Sequence, residues 1–191
     1  MKTIRTALLL FLVLTVLTGM VYPLVITGVA QLAFPAKANG SILVENRQVI
    51  GSALLGQRFD STAYFSSRPS ATEYQSLPSG GSNFAVTSNK LLHQVAVRAK
   101  QFGSANGLSD TKSIPSEMLF ASASSLDPHI SPQAARLQVN RIVVARRLNT
   151  VHKKKLLRLI DEQTEKPQFF CLGEERVNVL QLNLQLDKVF K

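Results

Sequence analysis

Thirty-one consecutive residues, 6–36, carry no charge, and this run limits what the chain can fold into more than any other feature. Two charged residues, Lys2 and Arg5, precede the run, and all the others follow it. A stretch of this length without a charge is typical of a membrane-spanning helix. The rest of the chain has the composition of a polar, basic domain. The sequence therefore predicts two different objects joined end to end, and it excludes an ordinary soluble cytosolic protein.

The uncharged run is long enough to cross a bilayer. As a helix, residues 7–30 would extend about 36 Å, against a hydrocarbon core of about 30 Å. A cleaved signal peptide is the alternative, because residues 36–38 (Ala-Lys-Ala) resemble a cleavage site, but the apolar cores of signal peptides are only about 7–15 residues long. We therefore expect an uncleaved anchor with a kink near Pro23, which lacks a backbone N–H.

Small and hydroxylated residues in this helix would let another membrane helix approach closely. We expect them to pack against partner helices, and a plain lipid-facing anchor is the alternative. The residues of this expected packing surface are Thr18, Gly19, Tyr22, Pro23, Thr27 and Gly28.

The flanking charges predict the orientation. The α-amino group, Lys2 and Arg5 lie on the N-terminal side, whereas only Lys37 lies close on the other side. The positive-inside rule then makes the N-terminus cytoplasmic and the domain extracytoplasmic, in the inner (plasma) membrane. The expected organisation is a cytoplasmic N-terminus at 1–6, a transmembrane helix at 7–30, a linker at 31–38 and a periplasmic domain at 39–191.

The periplasmic part has the pattern of one small mixed α/β domain. Two short apolar runs, 42–44 and 48–50, predict a hairpin. Residues 60–84 are rich in Ser, Pro and Gly and predict a long loop, which Tyr64 and Phe65 indicate is ordered.

Helices dominate the second half of the chain. Ser88 can cap a helix that Gly103 and Gly107 end, and Ser131 followed by proline opens a second helix. Thr150 can cap a third.

The last part of the chain is ambiguous. Residues 169–172 (Phe-Phe-Cys-Leu) have the pattern of a buried strand, which would hold Cys171 in the core as an inert thiol. Because Cys171 is the only cysteine, a disulfide scaffold is excluded. Leucines at alternate positions of 180–186 fit a strand, but helical spacing fits equally well, and a possible cap at Asn178 favours a helix.

The sequence lacks the motifs of several enzyme classes. It has no GxxxxGK[ST] phosphate-binding loop and no GxSxG nucleophile elbow. His93, His129 and His152 are too dispersed for a metal cluster, so we expect no metal. Two alternatives stay open: a membrane-tethered hydrolase that uses a serine and His129, next to Asp127, or a tethered ligand-binding domain with a pocket in residues 60–84.

One serine- and glycine-rich loop is the most favourable stretch for binding an anion. Its two consecutive glycines allow backbone N–H groups to converge on a phosphate. We treat it as a candidate nucleotide site, with a plain turn as the alternative. Its residues are Ser79, Gly80, Gly81, Ser82 and Asn83.

A basic stretch accounts for much of the net charge of +10. It has no acidic residue and no interleaved aromatic residue for base stacking, so we expect no nucleic acid partner. Lipid phosphates or an acidic partner surface would suit it, and a solvated face is the alternative. This basic face comprises Arg136, Arg141, Arg146, Arg147, Lys153, Lys154, Lys155 and Arg158.

Short strings in a characteristic order cover nearly the whole chain. They are Tyr22-Pro23 in the apolar run, GSALLGQRF at 51–59, RPSA at 68–71, SGGSN at 79–83, LDPHISPQAA at 126–135 and RVNV at 176–179. Each string is weak alone, but their order and spacing are specific. The sequence resembles the C subunit (KdpC) family of the Kdp potassium-transporting P-type ATPase.

The resemblance implies a single-pass membrane subunit of an ATP-driven, high-affinity potassium uptake complex. Its expected partners are a channel-like potassium-binding subunit, a P-type ATPase subunit and membrane lipids. The C subunit is described as a non-catalytic assembly factor, or catalytic chaperone, that raises the apparent ATP affinity of the complex. ATP would then act through the complex rather than as a cofactor of this chain, which lacks the Asp-Lys-Thr-Gly-Thr phosphorylation motif.

Three positions depart from the family pattern. Ser125 stands where the family has glycine before Leu-Asp-Pro. Arg147 and Asn149 stand in a segment that usually reads Ala-Arg-Gly-Leu-Ser. We therefore expect the turn and cap geometry to be unusual at these positions.

Overall fold

The chain forms two compact units, Met1–Ser52 and Ala53–Lys191. The structure is a computed structural model and describes residues 2–45 and 47–190. The first unit holds the apolar helix and a hairpin. The second holds four longer helices and a small sheet, so the mixed α/β class expected from the sequence is confirmed.

The uncharged run is helical. It consists of α1 (Lys2–Val16), a π-helical turn (Leu17–Val21) and α2 (Tyr22–Ala33). Together they form one helix long and apolar enough to cross a membrane, and its 18-residue apolar window has a mean hydropathy of 2.5 with no buried residue.

The irregularity expected near Pro23 takes the form of this π-helical turn, which lies just before the proline. The backbone N–H of Tyr22 donates to the carbonyl of Leu17, one residue beyond the α-helical spacing. Proline cannot donate a backbone bond, and its ring crowds the carbonyl four residues earlier. A wider turn at this point relieves that crowding without ending the helix.

A short helix and a hairpin complete the first unit. After α3 (Pro35–Ala38), β1 (Ile42–Glu45) pairs antiparallel with β2 (Gln48–Ser52), with an irregularity between Leu43 and Val44. The hairpin predicted from the two apolar runs is confirmed.

Three of the four longer helices of the second unit supply most of its core. Its helices are α4 (Asn89–Asn106), α5 (Pro132–Ala145), α6 (Thr150–Glu162) and α7 (Val179–Val189), with short 3₁₀ turns at Thr111–Ser113 and Ser116–Met118. α5 packs between α4 and α6, and α7 packs on α6. The fully buried core residues include Ile142, Leu156, Ile160, Val177, Leu182 and Leu186.

The sheet of the second unit has three very short antiparallel strands. β5 (Arg176–Asn178) lies between β3 (His129–Ile130) and β4 (Thr164–Glu165). Because β5 is followed directly by α7, the sheet fixes the start of that helix next to the segment before α5.

Side-chain caps set the starts of three helices. Ser131 Oγ accepts from Ala134 N at 3.1 Å, and Asn178 Oδ1 accepts from Gln181 N at 3.1 Å, so the caps predicted at these two residues are confirmed. Ser88 directly precedes α4, as expected, but its side chain makes no capping hydrogen bond. The cap of α6 is Asn149, whose Oδ1 accepts from His152 N at 2.9 Å. The expectation that Thr150 caps this helix is wrong by one residue, because Thr150 is already helical.

Residues 60–84, all of which the structure describes, form neither helix nor strand, yet they are held in place by two buried amide side chains. Asn183 of α7 accepts from Phe65 N at 2.8 Å and donates to Phe65 O at 2.9 Å. Gln138 of α5 accepts from Ser66 N at 2.7 Å and lies 3.4 Å from Ser66 O. The amides therefore satisfy the backbone groups that a neighbouring strand would otherwise pair, and Phe65 is fully buried.

The buried strand predicted at 169–172 is wrong. The segment is a turn whose ends pair through Gln168 and Leu172, and Phe169, Phe170 and Cys171 are exposed. An apolar run alone does not distinguish a buried strand from a turn, and the positive φ angles of Phe169 and Phe170 are incompatible with an extended strand.

Helices α4 and α5 end in the same motif with different residues. After α4, Leu108 N donates to Gly103 O at 2.9 Å around Gly107, at φ +66°. The helix therefore ends at Gly107, as predicted, but Gly103, which was also expected to end it, lies inside the helix. After α5, Leu148 N donates to Val143 O at 2.9 Å around Arg147, at φ +52°. The left-handed residue of this motif is usually glycine, because it has no Cβ to clash.

Replacing Asn183 by alanine should destabilise the second unit by about 2–4 kcal/mol, because both backbone groups of Phe65 would lose their buried partner. Chemical denaturation of the full chain in detergent measures this. Asn140→Ala, which removes only an exposed bond to Lys153, is the matched control and should cost less than about 0.5 kcal/mol. Equal losses for the two variants would contradict the role assigned to Asn183.

Replacing Arg147 by glycine should stabilise the chain by about 1 kcal/mol, since an L-residue in this conformation costs about 1–2 kcal/mol. The melting temperature should rise by about 2–4 °C. Arg147→Ala keeps the Cβ and removes the charge, so it should give no such rise. A gain of the same size for alanine would show that the charge, not the backbone, is responsible.

Candidate functional site

One polar cluster joins the loop that follows β2 to the segment before β3. Asp127 Oδ2 lies 2.6 Å from Arg68 Nη1, and Oδ1 accepts from the backbone N–H of His129 at 3.0 Å. The His129 ring directs Nδ1 toward the same oxygen at 3.3 Å. The acid–histidine pair noted in the sequence therefore forms.

The environment of Asp127 favours its charged form. Burial alone would raise the pKa of Asp127, but hydrogen bonds from the side chain and backbone of His129, with the charge of Arg68, hold that pKa below its ordinary value of 3.8. A hydrolase would also need a nucleophilic side chain, such as a serine hydroxyl, hydrogen-bonded to the histidine ring. The hydrogen bond that the structure shows for the His129 side chain goes to Asp127, and the cluster links the loop after β2 to the segment before β3.

A cleft of about 580 Å³ lies between residues 58–74 and helices α4 and α5. Its wall includes Arg98 and Arg141, and burial lowers the pKa of both guanidinium groups. In the described part of the chain neither forms an ion pair with an acidic residue. Arg98 donates to the Leu119 carbonyl at 2.9 Å, and Arg141 donates to uncharged oxygen atoms. The ligand-binding alternative required a pocket in this region, and the cleft supplies one.

Residues of the basic face differ in their surroundings. Arg136 pairs with Asp161 at 2.6 Å, and Arg146 pairs with Asp187 at 2.6 Å and lies over the Tyr64 ring. Further members contact the chain itself: Arg141 through the carbonyls of Thr62 and Tyr64, Lys153 through Asn140, and Lys155 over the Phe190 ring. These contacts bind residues 62–66 and α7 to α5 and α6, so much of the charge has a structural use.

The serine–glycine loop packs against the segment before Leu126. Gly80 O accepts from Ser125 Oγ at 2.7 Å, and a Cβ at position 81 would lie 3.3 Å from the Ala123 carbonyl. Close packing therefore gives a reason for glycine at position 81. A nucleotide contact at residues 79–83 stays a prediction.

The residues of the expected membrane packing surface lie on an exposed helix. The hydroxyls of Thr18 and Thr27 donate to carbonyls one turn earlier, at 2.7 and 2.8 Å, and so need no outside partner. Gly19 and Gly28 have open space where a Cβ would point. Tyr22 and Pro23 are likewise exposed. The surface is free for another helix, and its partner stays a prediction.

Two features were missed by the sequence reasoning. Gln138 and Asn183 stand at core positions of amphipathic helices, and a polar residue at such a position could have indicated a buried hydrogen bond. The exposure of Phe169 and Phe170 had no such signal, because apolar runs are normally buried.

A model of the family described as "KdpC: K+-transporting ATPase, c chain" matches residues 4–188. The match includes the apolar helix, the loop 60–84 and the helical core. The chain belongs to the KdpC family. The resemblance inferred from the ordered strings is confirmed.

Curated relatives are similar to this chain over nearly their full length. The chain is 48% identical to the potassium-transporting ATPase KdpC subunit of Acidobacterium capsulatum, covering 99% of this chain and 100% of that protein. It is 46% identical to the subunit of the same name from Geotalea uraniireducens, covering 99% of each chain. For that of Pectobacterium atrosepticum the identity is 45%, covering 98% of this chain and 97% of the other.

The charge of Asp127 should stabilise the fold in a pH-dependent way. Because its pKa is lower in the folded chain than the value of about 3.9 in an unfolded one, the stabilisation is complete above about pH 4 and is lost as pH falls through the folded-state pKa. Asp127→Asn should lower the stability by about 1–2 kcal/mol at pH 7, and the difference from the wild type should narrow below pH 4. Thermal melts at several pH values test this.

The control for Asp127→Asn is Asp161→Asn, which breaks the exposed pair with Arg136 and should change stability little at any pH. A wild-type advantage over Asp127→Asn that stays constant down to pH 2 would contradict the assignment.

Proposed function

We propose that the chain is a non-catalytic accessory subunit of an ATP-driven potassium uptake complex, which assists assembly and raises the ATP affinity of the P-type catalytic subunit. The observation that carries the proposal is the family match over residues 4–188. The relatives are named as subunits of a potassium-transporting ATPase, so partner subunits are implied. The channel-like subunit and the P-type subunit are the proposed partners.

The membrane arrangement supports a role as a docking subunit. One helix cannot enclose an ion path, so other subunits must supply the pore. The exposed helix of the first unit is available to pack on them. With Lys2 and Arg5 on the cytoplasmic side, the second unit would lie outside the inner membrane, and residues 7–30 would span it.

This topology favours an indirect effect on ATP. ATP binds on the cytoplasmic side, whereas the second unit would face the periplasm. We propose that this unit caps the channel-like subunit and shifts the conformational equilibrium of the complex by binding its two states unequally. Azido-ATP labelling of the intact complex distinguishes this from a direct contact, because label within residues 79–83 would support the direct alternative.

Ligand binding is a second candidate, favoured by the cleft, where Arg98 and Arg141 form no ion pair with an acidic residue in the described part of the chain. It predicts a different phenotype, because potassium-limited growth would not depend on a ligand-binding domain outside the uptake complex.

Deletion of the gene in a strain with no other high-affinity uptake system should abolish growth at micromolar potassium and leave growth at millimolar potassium unchanged. Complementation by the wild-type chain should restore growth, and the chain should co-purify with both larger subunits in mild detergent. Normal growth of the deletion strain at micromolar potassium would refute the proposed function.

A further inference from the structure

The turn at 169–172 exposes more apolar surface than a solvated turn requires. Phe169 is 82% exposed, Phe170 is 94% exposed and Leu172 is 59% exposed, with the exposed Cys171 between them. Neither phenylalanine ring makes an aromatic or cation–π contact within the described residues. By contrast, Phe65 is fully buried. Adjacent exposed aromatic residues of this kind are typical of binding surfaces.

The turn is held in one shape. Backbone N–H groups of Gln168 and Leu172 donate to each other's carbonyls, both at 2.9 Å, and Phe170 N donates to Pro167 O at 3.2 Å. The two rings are therefore presented by an ordered backbone and would lose little conformational freedom on binding.

The backbone conformation of the turn is costly for these residues. Phe169 has φ +52° and Phe170 has φ +65°, in the left-handed region where a bulky side chain is a genuine outlier. Such outliers are concentrated at ligand clamps and other functional sites. Two phenylalanines that combine an unfavourable backbone with full exposure are destabilising in the free chain, and burial against a partner would offset that cost.

The surrounding charges favour a protein over a lipid surface. Glu165 at the base of the turn pairs with Arg176 at 3.0 Å. The remaining charged residues of this segment are one base, Lys166, and two acids, Glu174 and Glu175. Residues 165–176 therefore carry a net charge of −1. Segments that insert into anionic membranes are rich in Lys and Arg, whereas this one has a small acidic excess.

We propose that the 169–172 turn docks into an apolar pocket with a basic rim on another subunit of the potassium-transporting complex. Phe169 and Phe170 are the anchors that enter the pocket, since buried aromatic residues contribute much of the affinity of protein interfaces. Glu174 and Glu175 face its basic rim. The inference rests on the proposed function, because it requires that the chain assembles with partner subunits.

Cys171 gives a direct test, because it is the only cysteine in the chain and is exposed in the turn. In the free, full-length chain in detergent, a maleimide reagent should modify it rapidly. In the assembled complex the reaction should be at least about ten times slower. A Cys171→Ser, Val151→Cys double variant is the matched control, because position 151 is exposed on α6, away from the turn in sequence, and should stay reactive.

Several outcomes would overturn the inference. They are unchanged Cys171 reactivity in the complex, equal protection of positions 151 and 171, protection by phosphatidylglycerol–phosphatidylcholine vesicles alone, and protection that depends only on the concentration of the free chain. The third outcome would indicate a membrane contact, and the fourth a contact with a second copy.

A variant pair tests whether the rings contribute to binding. Phe169→Ser with Phe170→Ser should reduce co-purification with the partner subunits at least about tenfold, while the melting temperature of the free chain is unchanged or higher. Val144→Ser with Val151→Ser, which also removes two exposed apolar side chains, should co-purify normally. Phe170→Gly removes a ring and relieves the backbone strain, so it should raise the melting temperature and still weaken co-purification.

The two proposals can fail separately. If the wild-type chain itself does not co-purify with the potassium-transporting subunits, the proposed function fails and the docking inference fails with it. If the wild-type chain and the double-serine variant co-purify equally, only the docking inference is wrong.

Discussion

The second unit depends on the amide side chains of Gln138 and Asn183, which take the place of a neighbouring strand. Residues 60–84 have no ladder of their own, so the buried backbone groups of Phe65 and Ser66 must find partners elsewhere. Two helices, α5 and α7, supply those partners. The loop thereby becomes part of the core, and the cleft beside it has a fixed wall.

Basic side chains also supply hydrogen-bond partners to the backbone of this loop. Arg141 and Arg146 donate to carbonyls of residues 62–64, so this part of the loop is bound by helix α5 and the residue after it. This use changes the meaning of the net charge of +10. Charges that bind the chain's own carbonyls are less available to lipid phosphates, and the candidate docking surface is instead apolar with an acidic base.

Local patterns predicted the helices, the hairpin and the family, whereas long-range contacts were beyond them. The caps at Ser131 and Asn178 depend on neighbours within three residues, so the sequence reveals them directly. The hydrogen bonds between Asn183 and the Phe65 backbone join residues 118 positions apart, and no sequence periodicity connects them. The run at 169–172 was assigned to a buried strand because its composition is apolar, but its backbone is left-handed and its side chains are exposed. Composition predicts burial only on average, so an apolar run can also lie at the surface.

The two departures from the family's glycines show how the same backbone constraint can be met differently. Ser125 at φ +61° and Arg147 at φ +52° both adopt a conformation that favours glycine. Ser125 is buried, and its hydroxyl accepts from Ala71 N and donates to Gly80 O, so the strain is offset by two bonds that join the loop to the segment before β3. Arg147 makes no such bond among the described residues. A serine at 125 therefore strengthens the attachment of the serine–glycine loop, whereas the arginine at 147 only retains the strain.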